Sequence, residues 1–165
     1  MVPQSVPELI ASSAFSQASK EKLLGISPYL ALPAVKARNI VSFEIISGLR
    51  TPDEQKRLFA LKKTKTLQSK HLDGKAFDFV PVVDGVMLFD TAEVIGKLQT
   101  KFGVTSPTNV TNWIYSTYSY IAGIIIGIAE ATGIKLISGI NWNGDKIILF
   151  DQKFQDFGHI ELVKP

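Results

Sequence analysis

The alternation of apolar and polar positions lays out the elements of this chain. Val41-Ser42-Phe43-Glu44-Ile45-Ile46-Ser47 reads as a strand with Val41, Phe43 and Ile45 on one face. Ala76-Phe77-Asp78-Phe79-Val80 reads as a second strand, with Asp78 beside Ala76 and Val80 and the two phenylalanines pointing the other way. Asp84-Gly85 is a hairpin signal that returns the chain through Val86-Met87-Leu88-Phe89. Ile134 to Ile137 and Ile147 to Phe150 read as short strands, separated by the polar turn Asn141-Trp142-Asn143-Gly144-Asp145. A last strand sets His159 and Glu161 on one face and Ile160 and Leu162 on the other.

Helical signals fill the gaps. Thr51-Pro52-Asp53-Glu54 combines a threonine cap, a first-position proline and a glutamate three beyond the cap, and predicts a helix to about Lys63. Asp90 with Glu93 predicts another, to about Phe102 before Gly103, and a long helix over roughly 109–132 stops at Gly133. Residues 1–40 read as helical, with Ser16 capping a helix through Leu24 and Pro33 opening a turn of helix through Arg38. The sum is an α+β fold with antiparallel pairing, a single domain over 1–165 without repeat or linker.

Composition narrows the partners. The chain has 165 residues, 45% of them hydrophobic and 20% charged, which suits a globular domain and excludes disorder. From Phe102 to Ala129 no residue carries a formal charge, but Asn109, Asn112, Ser116, Thr117 and Ser119 dilute the first half. What remains falls short of the ~20 apolar residues a span needs, so no transmembrane segment is expected. Met1-Val2-Pro3-Gln4-Ser5 has no signal-peptide character. Net charge is +3, and seven of the eighteen basic residues fall between Lys56 and Lys75. Such a cluster is either a solvated face or an attraction for an anionic partner; without interleaved aromatics it does not point to nucleic acid.

The absence of cysteine leaves only nitrogen and oxygen ligands for any metal. The two histidines, His71 and His159, each lie near aspartates, Asp73 and Asp78 for one and Asp156 for the other. His71, Asp78 and His159 make a set of two imidazoles and one carboxylate, which leaves a tetrahedral zinc one open position for water. Asp156, three residues before His159, is within reach of such a water as general base, or it stabilises the turn before Gly158. Glu161 competes with it as base or as a fourth ligand. Arg50, at a strand-to-helix junction, is a candidate oxyanion stabiliser or the partner of a surface acid.

Four stretches taken together resemble a known family: Ser47-Gly48-Leu49-Arg50-Thr51, Ser69-x-His71-x-x-Gly74-x-Ala76-x-Asp78, Trp142-Asn143-Gly144-Asp145 and Asp156-x-x-His159. They are similar, in order, to the L-alanyl-D-glutamate peptidase endolysins of bacteriophages. These belong to a larger zinc peptidase family that also contains D-alanyl-D-alanine carboxypeptidases and dipeptidases. The resemblance runs from about Phe43 to Leu162 and implies His71, Asp78 and His159 as zinc ligands and Asp156 as catalytic base. It further implies Arg50 as a transition-state stabiliser and Ser69 near the substrate; Trp142 is the second candidate substrate residue. Where the family often has Gly-Gly-Asp-Trp, this chain has Gly139-Ile140-Asn141-Trp142. The activity implied is hydrolysis of the L-alanyl–D-glutamate bond of peptidoglycan stem peptides for host lysis; nothing in the sequence suggests more than a monomer. The enzyme would be made in the host cytoplasm and reach the wall after membrane permeabilisation. The alternative is a D-alanyl-D-alanine or L,D-carboxypeptidase acting on the same peptides.

Overall fold

The computed structural model describes residues 5–142 and 156–164. Three helices open the chain: α1 (Val6–Ser12), α2 (Gln17–Leu24) and α3 (Pro28–Arg38). Strand β1 (Phe43–Ser47) and helix α4 (Pro52–Ala60) follow, then a 3-10 turn (Lys70–Asp73) and the hairpin β2 (Ala76–Val83) and β3 (Val86–Met87). Helices α5 (Ala92–Phe102) and α6 (Pro107–Ala131) lead to β4 (Lys135–Ser138) and finally β5 (His159–Lys164). The expected α+β fold is present, with a sheet in the order β1-β2-β5-β4, antiparallel throughout, and β3 paired to β2. The turn expected over 143–145 and the strand over 147–150 lie outside the described residues.

Strand β2 is the centre of this arrangement because both its faces are buried. Phe77 and Phe79 fill one side and Ala76 and Val80 the other, all without exposure. Phe79 meets Phe43 of β1 edge-on at 5.6 Å, and Phe43 meets Phe15 at 5.2 Å, the geometry that aligns ring edge with ring face. Helix α6 buries Val110, Ile114, Tyr118, Ile121, Ala122, Ile125 and Ala129 against α3, α5 and the sheet. By length and composition α6 is apolar enough to cross a membrane, yet this buried stripe is the spacing of a core helix.

Two helix starts differ from their sequence signals. Pro33 lies inside α3, whose first position is Pro28; as the sixth residue it cannot donate to the Tyr29 carbonyl, a local cost set against the burial of Leu30, Ala31, Ala34 and Val35 around it. Helix α5 is capped by Thr91, which accepts from Val94 N, and Asp90 instead takes hydrogen bonds from Thr111 and Tyr115. Tertiary partners on α6 outcompete the local capping role. Thr51 caps α4 as expected, although the helix stops at Ala60, where Lys62 turns the chain with φ 56°.

The polar face of β1 has a second purpose. Glu44 accepts from the backbone and hydroxyl of Ser16 (3.1 and 2.7 Å) and from the Ser19 hydroxyl (2.5 Å), with Arg38 at 3.6 Å. This network fastens the start of α2 to the sheet. Burial raises the Glu44 carboxyl, but the donors of Ser19 and Ser16, helped by Arg38, outweigh it and hold the pKa below its ordinary value.

Candidate metal centre

Strand register brings the first pair of donors together. Asp78 on β2 and His159 on β5 are directly opposed partners, so their side chains leave the same face of the sheet. His159 Nδ1 lies 2.9 Å from Asp78 Oδ1. The third donor comes from the 3-10 turn, where Ser69 caps the first turn by accepting from His71 N and Gly74 closes it in the left-handed region at φ 62°. A Cβ on Gly74 would also stand 3.0 Å from Gly25 O, so this turn packs directly on the α2–α3 connection. His71 is thereby buried with Nε2 3.3 Å from Asp78 Oδ1. One donor atom from each of His71, Asp78 and His159 lies within 4.8 Å of the others.

The far nitrogens of both rings are already engaged. His71 Nδ1 is 2.7 Å from Gly48 O, which obliges that nitrogen to carry the proton and leaves Nε2 with its lone pair toward Asp78. His159 Nε2 is 3.1 Å from Glu161 Oε2, which keeps the proton on that nitrogen when the ring is neutral, so Nδ1, which donates to Asp78 while the ring is charged, is the nitrogen that would offer a lone pair to a metal. Glu161, considered from sequence as base or fourth ligand, therefore sits behind His159 as its orienting carboxylate. His71 Nε2 is buried without a hydrogen bond, an orphan that a cation between the three donors would satisfy. The donor set fits a metal ion.

Charge around the site supports the same reading. Burial raises the Asp78 carboxyl, but the hydrogen bond from His159 and the imidazole of His71 outweigh it and hold the pKa well below the usual range. Burial disfavours the His159 imidazolium, yet Asp78 and Glu161 more than offset this and push its pKa up to about 9. Carboxylates on both sides of one ring favour positive charge at this place. Asp156 moves the other way: burial and the neighbouring Asp78 push its carboxyl up, only partly countered by His159 and the Gly158 amide. A raised carboxyl beside a water-accessible cleft is what a general base near neutral pH requires.

The other expected residues gather around these donors. A cleft of about 470 Å³ is lined by Arg50, Ser69, His71, Asp78, Trp142, Asp156 and His159 among others. Arg50 donates to Asp78 Oδ2 at 2.6 Å and to Ser47 Oγ at 3.0 Å, so it braces the carboxylate while facing the cleft. The Trp142 ring is 5.0 Å from the His159 ring. Gly139 positions Asp156: its carbonyl accepts from Asp156 N at 2.9 Å, and a Cβ there would stand 2.3 Å from Asp156 O. Ile140 is in the core, and with Asn141 it lines a neighbouring groove; of the four residues standing where the family often has Gly-Gly-Asp-Trp, Trp142 is the one that lines the cleft among the described residues.

Sequence reasoning missed Gln55. It is buried on α4, accepts from Arg50 Nη1 (3.4 Å) and donates to Thr66 O (2.8 Å) and Thr64 Oγ1 (3.3 Å), tying Arg50 to the basic segment beyond α4. A glutamine among the charged residues of Asp53-Glu54-Gln55-Lys56-Arg57 carries no mark of burial in the sequence, so no local pattern signalled this role.

The α+β sheet thus carries, in an open cleft, a His-Asp-His donor set able to hold a metal ion. The sequence model of the phage L-alanyl-D-glutamate peptidases matches residues 11–106, a stretch that contains Arg50, Ser69, His71 and Asp78. The chain belongs to this phage L-alanyl-D-glutamate peptidase family. Among solved structures, the Serratia marcescens L-Ala D-Glu endopeptidase ChiX is similar in fold, with a TM-score of 0.64 over 92% of both chains at 24% identity. No curated protein matches the chain.

Proposed function

We propose that this protein is a zinc-dependent endopeptidase that hydrolyses the L-alanyl–D-glutamate bond of peptidoglycan stem peptides, in the service of host cell lysis. The observation that carries the reading is the convergence of His71 Nε2, Asp78 Oδ1 and His159 Nδ1, with the opposite ring nitrogens held by Gly48 and Glu161. Two imidazoles and a carboxylate, with no thiolate in the chain, suit zinc with a position left open. His71, Asp78 and His159 would hold the zinc, which would supply Lewis acidity and lower the pKa of a bound water to about 7.

The chain's own groups do the rest. An Asp156 carboxylate oxygen accepts the proton of the attacking water and returns it to the leaving amine. The Arg50 guanidinium presents positive charge on the cleft wall as negative charge develops on the scissile carbonyl oxygen. Ser69 and Trp142 line the same cleft and contact the substrate. Gln55 holds Arg50 in register, and Glu161 keeps His159 in the metal-binding tautomer.

The whole chain acts as one catalytic domain and a monomer, made in the host cytoplasm and reaching the wall once the membrane is permeabilised. The family supports a wall substrate, and the basic segment near the cleft suits an anionic envelope. Mass spectrometry of purified peptidoglycan digested with and without a chelator tests the reading. New amino-terminal glutamate, lost on chelation and restored by zinc, is expected. Free D-alanine would assign the carboxypeptidase reaction instead, and an undigested wall at every zinc level would end the peptidase reading.

A further inference from the structure

Beyond α4 the chain folds over one side of the cleft in a defined shape. Gln55 Nε2 holds Thr66 O and Thr64 Oγ1, and Thr66 Oγ1 in turn accepts from Gln68 N at 2.9 Å. This frame sets Lys63 on the cleft wall, and the start of the 3-10 turn adds Lys70. Two of the three acids that line the cleft are matched elsewhere, Asp78 by Arg50 and the two histidines and Glu161 by His159; the third, Asp156, lines the same cleft beside the donor atoms. Among the described residues neither Lys63 nor Lys70 has a carboxylate in ion-pair contact. Both lysines line the cleft at exposed positions, and among the described residues no carboxylate offsets their charge.

The far side has the opposite character. A hollow that shares Asp78 and Asp156 with the cleft continues past Phe157 to Asp90 and Tyr115, where the tyrosine hydroxyl donates to the Asp90 carboxylate. The cleft and hollow together thus run from a cationic end, past the donor atoms, to an acidic and aromatic end. The two ends reject opposite charges, which gives the site a direction.

We infer that Lys63 and Lys70 are specificity-determining residues that receive the free carboxylate of the glutamate on the amine side of the scissile bond. The inference rests on the peptidase reading above. A glutamate inside a peptide has two carboxyl groups, of which the next peptide bond consumes one; the other remains anionic. Charge-assisted hydrogen bonds from ammonium groups are the matching recognition. A substrate bound in the reverse direction would press that carboxylate toward Asp90. The same lysines account for basic side chains clustering on an ordered cleft wall, where a solvated face would not need the Gln55 tether.

Steady-state cleavage of two synthetic stem peptides by the zinc-loaded protein tests this, one with the glutamate carboxylate free and one with it converted to the carboxamide. The wild type should prefer the free acid by roughly tenfold in kcat/KM, mostly through KM, and the preference should shrink with added salt. The double variant Lys63→Ala/Lys70→Ala should cleave both peptides equally well with unchanged zinc content, and Lys63→Arg/Lys70→Arg should restore the preference. Equal cleavage of both peptides by the wild type, or a preference that survives the alanine pair, overturns the inference while leaving the peptidase reading intact. Cleavage of neither peptide by the wild type overturns both.

Discussion

At the scale of single residues, the site works through the nitrogens that do not face the metal position. Gly48 O and Glu161 fix one tautomer each, so both imidazoles offer a lone pair where Asp78 already stands. His71→Ala or His159→Ala should lose bound zinc and activity together, as read by elemental analysis beside a turnover assay. Asp156→Ala should retain zinc and lose about 10²–10⁴ in kcat, the scale of a general base; loss of the metal to the same degree would make Asp156 a ligand. Glu161→Gln should fold normally but bind zinc roughly 10–100-fold more weakly, since the amide no longer enforces the Nδ1 lone pair. Competition with a chromogenic chelator measures that difference. Residue types and spacing pointed to the three candidate donors, which the fold brings together, but the partner of each far nitrogen depends on which backbone carbonyl or strand neighbour comes near, and spacing does not encode this.

At the scale of elements, register decides what faces what. One strand pairing, Asp78 opposite His159, turns an alternating pattern into a pair of neighbouring donors. The alternation of β2 and β5 was legible because each strand has a period of two, and so was the common face of His159 and Glu161. The true role of Asp90 was not, because α6 supplies partners from 21 and 25 residues away and Thr91 takes the capping position that the sequence assigned to Asp90. Glu44 illustrates the same rule with an energetic consequence. Its folded pKa is depressed, so its contribution to stability is complete above the unfolded value and is lost as pH falls through the folded one. Glu44→Gln should cost about 1–3 kcal/mol near pH 7, because it weakens a charged acceptor for two serines and an amide. Denaturant titrations should find that the gap between wild type and variant narrows below about pH 4; a constant gap would exclude the carboxylate as its source.

At the scale of the whole molecule, the donors join parts of the chain that are far apart in sequence. Asp78 and His159 are separated by 81 positions, and the 3-10 turn that carries His71 rests on the α2–α3 connection through Ser27 N to Gly74 O at 2.8 Å. Metal binding should therefore stabilise the global fold. Zinc at 100 times its dissociation constant should add about 2.7 kcal/mol and raise the melting temperature, and a chelator should reverse the shift. A melting temperature indifferent to zinc, chelator and the His71→Ala change would mean that the three side chains do not bind metal in the native fold. The N-terminal helices, which carry no donor, enter the same account by packing behind His71.

The sequence by itself determined the α+β composition of the fold, the order of its strands along the chain and the candidate donor residues. Those properties follow from periodicity, capping residues and side-chain chemistry, all of which act within a few neighbouring positions. Only the tertiary structure decided that Glu161 stands behind His159, that Gln55 links Arg50 to the basic segment, that Ile140 belongs to the core and that Lys63 and Lys70 line the metal cleft. Each of these depends on contacts between elements, where strand register and helix packing set distances that no local pattern records.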